Sequence, residues 1–473
     1  MSGSFGWVSI LPPIIAIFLA IRTRQVYISL FVGIWLGWTL LSGYNPLLGF
    51  IRGVEACVAV FQDAGNTKVI LFSALVGALI TFTQYSGGMD GFINWVTGKG
   101  LVASRRKAGL LAWLVGMVIF VESSISVLVT GAVARPLFDR LKISREKLAY
   151  ICDSTSAPNC VLIPLNAWGA FIIGLLADQG VEQPVKVLLS AIPFNFYSIL
   201  AIGLVLWVIL SQRDIGPMKE AEKRVREQGK LLRDGAEPLV SSEVTSVSMK
   251  PGTQARMINM LLPIGVMVLM MPIGLTITGK GNIMNGSGST AVFWAVLISI
   301  ITAGVLYRVQ GILSLQELVD QFMKGVGGLI PLAMLMILAF AIGNVCKELG
   351  TGPYLAHLTN RFIDPKIVPA LLFLTSCFIA FSTGTSWGTF AIMIPIAVPM
   401  ITLMGLHPGI AIAAILGGGV FGDHCSPISD TTIIASMAAA TDHIDHVRTQ
   451  LPYALMAAAA ALVLYLIAGI IYF

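Results

Sequence analysis

The segment GDHCSPISDTT at residues 422–432 constrains the fold most strongly, because it places charged groups inside a long apolar stretch. Asp423, His424 and Asp430 lie between the apolar runs AAILGGGVF and IIASMAAA. An aspartate near the middle of a bilayer costs about 3 kcal/mol on insertion scales, so two of them this close together predict a functional site. Pro427 cannot donate the backbone hydrogen bond of a continuous helix. We therefore expect a helix that breaks here and leaves carbonyl oxygens available.

Composition places the whole chain in a membrane. Of 473 residues, 56% are hydrophobic and 11% are charged, whereas soluble domains carry roughly 25% charged residues. The first apolar segment, residues 7–21, has no charged region before it and no small-residue cleavage site after it, so we expect a retained span. The chain is predicted to be polytopic, and the positions of its basic residues indicate topology rather than binding to nucleic acid.

Two of the apolar segments are too long for one simple span. Residues 108–134 and 368–402 carry small polar residues near their middles, VESSIS at 121–126 and STGTSWGT at 382–389. About 20 residues cross the hydrocarbon as a helix, so each segment is predicted to fold back as a re-entrant hairpin.

An internal repeat relates the two hairpins. An offset of 261 residues carries Phe120 onto Phe381 and Ser124 onto Thr385, and DSTSAP at 153–158 corresponds to DHCSP at 423–427. We therefore divide the chain into a first transmembrane repeat (1–211), a cytoplasmic linker (212–256) and a second transmembrane repeat (257–473). With a hairpin in each half, each half crosses the membrane an odd number of times, which inverts the second half.

The distribution of basic residues agrees with this topology. With the amino terminus outside, 23 of the 30 lysines and arginines lie in segments predicted to be cytoplasmic, as the positive-inside rule requires. The predicted fold class is an all-α polytopic membrane protein of two inverted repeats, each with a re-entrant hairpin and a broken helix. We expect the linker to be solvated, helical near 217–232 and disordered beyond.

The polar residues of both hairpin tips and both broken helices are predicted to meet near the membrane midplane. The residues predicted to bind a cation or proton are Asp153, Asp423, Asp430, Glu122 and His424. The residues predicted to coordinate an ion or substrate are Ser123, Ser124, Ser154, Thr155, Ser156, Asn159, Thr383, Thr385, Ser386, Ser426, Ser429 and Thr431. Carboxylates, hydroxyls and carbonyls are the hard oxygen ligands that a dehydrated alkali cation needs. Because burial favours the protonated acid and a cation favours the carboxylate, protons and Na⁺ would compete for Asp153, Asp423 and Asp430.

Each of these residues also has a structural interpretation. The aspartates could be helix caps at the breaks, and Glu122 could be solvated at its hairpin tip. His424 could hydrogen-bond to Asp423 or relay a proton. His443 and His446, in TDHIDHV, are expected to be mostly solvent-facing. No cofactor and no soft-metal site are expected.

The motif GDHCSPISDTT, followed by TDHIDHVRTQLPYA at 441–454, resembles the C-terminal signature of the NhaC-type sodium/proton antiporter family, within the larger ion transporter superfamily. The resemblance implies a multi-pass carrier of the bacterial cytoplasmic (inner) membrane, built from paired inverted repeats and dimeric. It implies exchange of external protons for internal sodium, with Asp153, Asp423 and Asp430 as charged centres.

A Na⁺- or H⁺-coupled carrier of an organic acid (malate or lactate type) or of an amino acid is the main alternative. Hydroxyls and helix N-termini at the hairpin tips could hold an organic anion without a basic side chain. The antiporter is favoured because the polar segments carry several acids but no intramembrane lysine or arginine. A channel would need rings of charge that the sequence does not show, and an enzyme would need a placed partner for its nucleophile.

Overall fold

The computed structural model describes residues 5–23, 25–97, 104–120, 122–238, 249–283, 286–351, 354, 364–427 and 429–472. Within these ranges eight helices are long and apolar enough to cross a membrane, or up to ten if each of two bent helix pairs forms one span. The prediction of an all-α polytopic membrane protein is therefore confirmed. Whether the second half is inverted with respect to the first stays a prediction.

The helices before residue 239 are named α1 to α13 in chain order. They are α1 (Leu11–Thr23), α2 (Val26–Leu41), α3 (Pro46–Ala59), α4 (Ala64–Tyr85), α5 (Gly88–Thr97), α6 (Arg105–Val118), α7 (Ser123–Arg140), α8 (Arg145–Ser154), α9 (Ala157–Leu162), α10 (Ala167–Asp178), α11 (Pro184–Ala191), α12 (Phe196–Ser211) and α13 (Gly216–Gln228).

The helices after residue 248 are named α14 to α22. They are α14 (Ile258–Thr278), α15 (Gly288–Val309), α16 (Leu315–Gly328), α17 (Ile330–Leu349), α18 (Val368–Thr383), α19 (Ser386–Met404), α20 (Pro408–Cys425), α21 (Asp430–Ala439) and α22 (His443–Tyr472).

Two helical hairpins lie where the sequence predicts them. In the first, α6 and α7, the Arg105 guanidinium donates to the carbonyl oxygens of Leu141 and Lys142, so the chain returns to the face that it left. In the second, α18 and α19, the chain turns at Gly384, whose φ of +70° suits glycine, and the Thr385 hydroxyl caps α19.

The two hairpins open at opposite ends of the long helix α22. Near its start, Arg145 beside the first hairpin donates to the carbonyl oxygen of Ala440 at 3.1 Å. Near its end, the ring of Tyr472 packs on His407 at a centroid distance of 5.6 Å, beside the base of the second hairpin. At 1.5 Å per residue, the 30 residues of α22 span about 45 Å.

Both broken helices interrupt their backbone within an apolar stretch. The first break follows Ser154, between α8 and α9. A separate bend of 42° lies after α9, between the segment Arg145–Leu162 and α10. The second separates α20 from α21, with Ser426 in extended conformation, so the predicted break at Pro427 is confirmed. Helix α21 packs on α7 and α8, and α20 contacts α9. The second broken helix is therefore inserted against the first, which places both breaks in one buried region.

The start of the linker is packed rather than solvated. Glu222 of α13 is 2% exposed and pairs with Arg105, and Arg224 pairs with Glu146 at 2.8 Å. The expectation of a solvated linker is therefore wrong for this stretch, because α13 carries an apolar face (Met218, Ala221, Val225) that is buried. The helix predicted near 217–232 is confirmed as α13. Residues 239–248, within the stretch expected to be disordered, lie outside the described residues.

Candidate functional site

Asp153 lies in the last turn of α8 and is completely buried. The amide nitrogen of Gln450, on α22, donates to its Oδ2 at 2.6 Å and to the carbonyl oxygen of His424 at 2.9 Å. The Oδ1 atom has no hydrogen-bond partner among the described residues. A buried carboxylate oxygen without a donor is costly unless a proton or a cation occupies it, so Asp153 has the properties of a binding site.

Asp423 and His424 lie in the last turn of α20 and are also buried. The Tyr197 hydroxyl lies 2.9 Å from His424 Nδ1, so this ring is held by tyrosine and not by Asp423 as one interpretation suggested. Thr432, across the break, donates to the carbonyl oxygen of Asp423 at 2.8 Å. The two breaks thus share one polar centre, which we call the break centre, defined by Asp153, Asp423, His424, Tyr197 and Gln450.

The alternative that the aspartates cap helices is wrong for Asp153 and Asp423. Both lie in the last turn of their helices, whereas a cap with a carboxylate belongs at the N-terminus. Ser156 and Ser429 are the residues that precede α9 and α21. Asp430 begins α21, and its side chain lies outside the described residues.

Most hydroxyls of the first break are occupied by their own backbone. Thr155 donates to the carbonyl oxygen of Ile151 at 2.7 Å, and Ser156 donates to that of Asp153 at 2.8 Å. Ser154 is buried beside them. The same two carbonyl oxygens also accept the backbone N–H groups of Thr155 and Ser156, so in this conformation both hydroxyls are held by the local backbone rather than pointing to a ligand.

Asn159 joins the first break to the tip of the first hairpin. Its amide nitrogen donates to the carbonyl oxygens of Gly116 and Met117 at 3.3 and 2.9 Å. A methyl group at position 116 would overlap the Thr155 side chain, which explains the glycine there. The Asn159 carbonyl oxygen is buried and accepts no hydrogen bond from the part of the chain that is described.

In the second break, Ser429 and Thr431 hydroxyls lie 3.0 Å apart, and Ser426 is buried next to them. Hydroxyls at a helix break are among the oxygen ligands that transporter ion sites use. Their role as ligands stays a prediction.

A second polar region lies between the two hairpin tips. A cavity of about 220 Å³ is lined by Glu122 of the first tip and by Thr385 and Trp387 of the second. The Ser123 hydroxyl donates to the Glu122 carboxylate at 3.1 Å. We call this space the tip cavity. Thr383 bonds to its own helix at 2.9 Å, and the hydroxyl of Ser386 is buried without a partner in the described ranges.

The prediction that the tips and breaks meet is thus refined. Glu122 and Thr385 share the tip cavity, whereas Asp153 and the carbonyl group of His424 are joined by Gln450 in the break centre. The side chain of Ser124 lies outside the described residues.

Two residues of the break centre were not predicted, Tyr197 and Gln450, which contribute its hydrogen bonds. Beside it, Ser436 lies 2.9 Å from His446, which was expected to face solvent and is completely buried. The expectation for His446 is wrong because α22 begins three residues earlier, at His443, and turns His446 inward. The spacing of His443, His446 and Gln450 places them on one face of a helix, and this pattern could have predicted that they contact each other.

The described residues form a helical, multi-pass protein with buried acids at two helix breaks that pack on each other, an arrangement typical of secondary transporters. The chain belongs to the Na⁺/H⁺ antiporter family, whose profile matches residues 160–470. The family resemblance of the motif GDHCSPISDTT is therefore confirmed.

Similar proteins agree with this class. An uncharacterized protein of Haemophilus influenzae is 35% identical over 98% of this chain and 91% of its own length. A malate-2H⁺/Na⁺-lactate antiporter of Bacillus subtilis is 27% identical over 34% of each chain. Among solved structures, the YdaH transporter of Alcanivorax borkumensis aligns with a TM-score of 0.61 and 16% identity over 88% of each chain, which shows a shared fold.

Proposed function

We propose that this protein exchanges Na⁺ for H⁺ by alternating access, with both ions competing for Asp153 and Asp423 in the break centre. The observation that carries the proposal is the buried Asp153 carboxylate, which has one oxygen bound by Gln450 and the other without a donor in the described residues. Such a group gains by binding either a proton or a cation, and cannot hold both at once. Asp430, which begins α21 on the far side of the same break, is proposed as a third acid of this site.

The ligands available suit a hard cation. The break centre offers carboxylate, hydroxyl and backbone carbonyl oxygens, the donor set that alkali cations take when they lose water. In the part of the chain that is described, no group of three or more His, Cys, Asp and Glu residues is arranged for a metal ion. In this proposal sodium is the transported ion.

The charge of the residues that line the tip cavity favours one class of substrate over another. Glu122 carries the only acidic or basic side chain among the residues that line it, within the described ranges. An anionic group would be repelled by a Glu122 carboxylate and would find no arginine or lysine partner there. This cavity therefore fits the passage of a cation better than the binding of an organic acid or amino acid, and we propose Glu122 as an attraction point on the cation route.

The proposal is tested with purified protein in liposomes that hold an imposed pH gradient. Adding NaCl alone should collapse the gradient, whereas choline chloride should not. A gradient that survives saturating sodium, but collapses when malate, lactate or an amino acid is added, would contradict the proposal and identify an organic solute carrier. The matched variant Asp178→Asn should behave as wild type. It changes a half-buried acid that accepts a hydrogen bond of 2.9 Å from Asn66 and does not belong to the break centre.

The predicted placement is in the bacterial inner membrane, with both termini outside and the protein a homodimer. The hydrogen bond between Thr351 and Ser9 at 2.7 Å joins the amino-terminal segment to the end of α17, which is compatible with this placement. Cysteine labelling at positions 101 and 141 should report the same side of the membrane. Labelling from opposite sides would contradict the inverted-repeat topology.

A further inference from the structure

A continuous chain of hydrogen bonds runs from His443 to Asp153. Ser436 Oγ lies 3.0 Å from His443 Nδ1 and 2.9 Å from His446 Nδ1. His446 Nε2 lies 2.9 Å from the Gln450 carbonyl oxygen, and the Gln450 amide nitrogen reaches Asp153 at 2.6 Å. His443 is half-buried and the other four residues are buried, so the chain leads from the protein surface to the break centre.

The direction of most of these bonds is fixed by chemistry. The Gln450 nitrogen faces two acceptors, the Asp153 carboxylate and the His424 carbonyl, so its oxygen must face His446. Since that oxygen only accepts, His446 Nε2 carries a hydrogen. His443 Nε2 lies 2.7 Å from the carbonyl oxygen of Pro427 and carries a hydrogen for the same reason. In the neutral rings, both Nδ1 atoms are therefore acceptors.

Ser436 then has too few hydrogens for its neighbours. Its hydroxyl also lies 2.8 Å from the carbonyl oxygen of Thr432, so one hydrogen faces three acceptors when both histidines are neutral. If one histidine gains a proton at Nδ1, that ring donates to Ser436 Oγ, and the hydroxyl hydrogen serves one of the other two. Because buried polar groups without partners are costly, the arrangement favours one added proton.

We propose that His443, Ser436 and His446 form a second proton-binding site that is coupled to Asp153 through Gln450. When a cation binds at Asp153, this second site releases its proton on the side of His443. This inference rests on the proposed role of Asp153. In the transfer, the N–H bond of His446 Nδ1 breaks and an O–H bond forms on Ser436. The original O–H bond of Ser436 breaks while an N–H bond forms at His443 Nδ1. One proton moves outward, and His443 exchanges it with water.

The surrounding charges support a link to Asp153. On the elements packed around the histidines, Arg145 pairs with Asp139, Arg224 with Glu146 and Arg233 with Asp445. Within the described residues, the titratable groups that face the His446 ring include Asp153 on α8 and His443, which contacts the same Ser436 hydroxyl. An ionised Asp153 stabilises a proton on His446, and a cation at Asp153 cancels that attraction.

The first test measures protons released when NaCl is added to protein in lipid nanodiscs in weak buffer, with a pH-sensitive dye. Wild type should release protons from both sites. His446→Gln and the smaller change Ser436→Ala should each lower the release near neutral pH by about half, as expected when one of two coupled sites is removed. The control His407→Asn keeps a cap on α20, where His407 Nδ1 accepts from Ile410 at 3.3 Å, and should release as wild type. Unchanged release by both test variants would overturn the proposal.

The second test separates this proposal from the proposed function. Nitrogen NMR of ¹⁵N-histidine-labelled protein follows protonation of His446 directly. Its titration should move when His443→Gln removes the second histidine that contacts Ser436, and should move to lower pH in Asp153→Asn. If wild type releases no proton with sodium, the antiport proposal fails, yet this titration still decides whether the pair shares a proton. A His446 titration insensitive to both variants would show a merely structural network.

Discussion

The two helix breaks use their polar side chains in opposite ways. At the first break, Thr155 and Ser156 bond to carbonyls of their own helix. At the second break, side chains of α22 hydrogen-bond to the free carbonyl groups. Gln450 donates to the carbonyl oxygen of His424, and His443 Nε2 lies 2.7 Å from that of Pro427. The first break is held by hydroxyls that do not titrate at physiological pH, while the second is held in part by groups that respond to protonation. We therefore call the first break, which carries Asp153, the fixed break, and the second break the responsive break.

Asp153→Asn tests whether the acid of the first break binds the cation. Removing the charge leaves the Gln450 donor facing an amide and deletes the cation counter-charge, at a cost of about 3 kcal/mol or on the order of 100-fold in sodium affinity. Sodium-driven proton flux in liposomes should be lost while the protein still inserts. Asp178→Asn is the matched control, and normal flux in Asp153→Asn would show that the buried acid is only structural.

Asp423→Asn and Asp430→Asn test the responsive break. Each should reduce exchange by at least about tenfold, corresponding to roughly 1.4 kcal/mol, because an acid that titrates with the cation has been neutralised. Flux is measured in the same liposomes. If both variants exchange normally, the competition is confined to Asp153 and the second break serves as support.

Asn159→Ala tests the fixed break. Loss of its donation to Gly116 and Met117 should cost about 2 kcal/mol locally, so amide hydrogen exchange at residues 116–120 should rise. Asn259→Ala removes a comparable bond, to Ser86 at 3.0 Å, and should raise exchange near residue 86 instead. Equal protection at 116–120 in Asn159→Ala would mean that the hairpin tip does not depend on the break.

Tyr197→Phe tests the contribution of the His424 imidazole at the second break. Losing the 2.9 Å bond to His424 should cost about 1 kcal/mol, or roughly fivefold in exchange rate, and should displace the pH profile of exchange. Tyr465→Phe loses a bond of the same length to the Ala413 carbonyl and should affect stability alone. Identical pH profiles in both variants would remove His424 from the mechanism.

The smallest expected effect concerns the linker. Partial burial acts to raise the pKa of Asp442, but backbone donors from Asp445 and Glu237 prevail and lower it. A lowered pKa contributes stability above the unfolded value, about 3.9, and loses it as pH falls through the folded value. The rate at which an acid protease cleaves residues 229–238 should therefore increase as the pH falls. The increase should be smaller in Asp442→Asn, because this variant lacks the carboxylate at every pH. Cleavage that depends on pH equally in both proteins would contradict this.

Much of the fold could be predicted because its signals are local. Hydropathy defines the spans, and polar residues within the long segments 108–134 and 368–402 indicate the hairpin turns. Asp153 and Asp423 could be identified because charge in an apolar segment is costly. These inferences need no knowledge of which helices are neighbours.

The remaining features depend on packing between distant segments. Gln450 and Tyr197 join the site only because α22 and α12 lie beside the breaks. A glutamine and a tyrosine in apolar helices carry no distinguishing pattern, and the inward turn of His446 depends on where α22 begins. The packed linker was missed because its ion pairs, such as Arg224 with Glu146, join residues far apart in sequence.

Competition between sodium and protons at Asp153 is tested most directly by equilibrium binding of ²²Na⁺ to purified protein across a range of pH. The apparent affinity of wild type should weaken as pH falls, by up to about tenfold per pH unit where one proton competes with one ion. In Asp153→Asn the remaining binding should be weak and nearly independent of pH. Wild-type affinity that does not change with pH, or tight binding retained in Asp153→Asn, would contradict a shared cation and proton site at this residue.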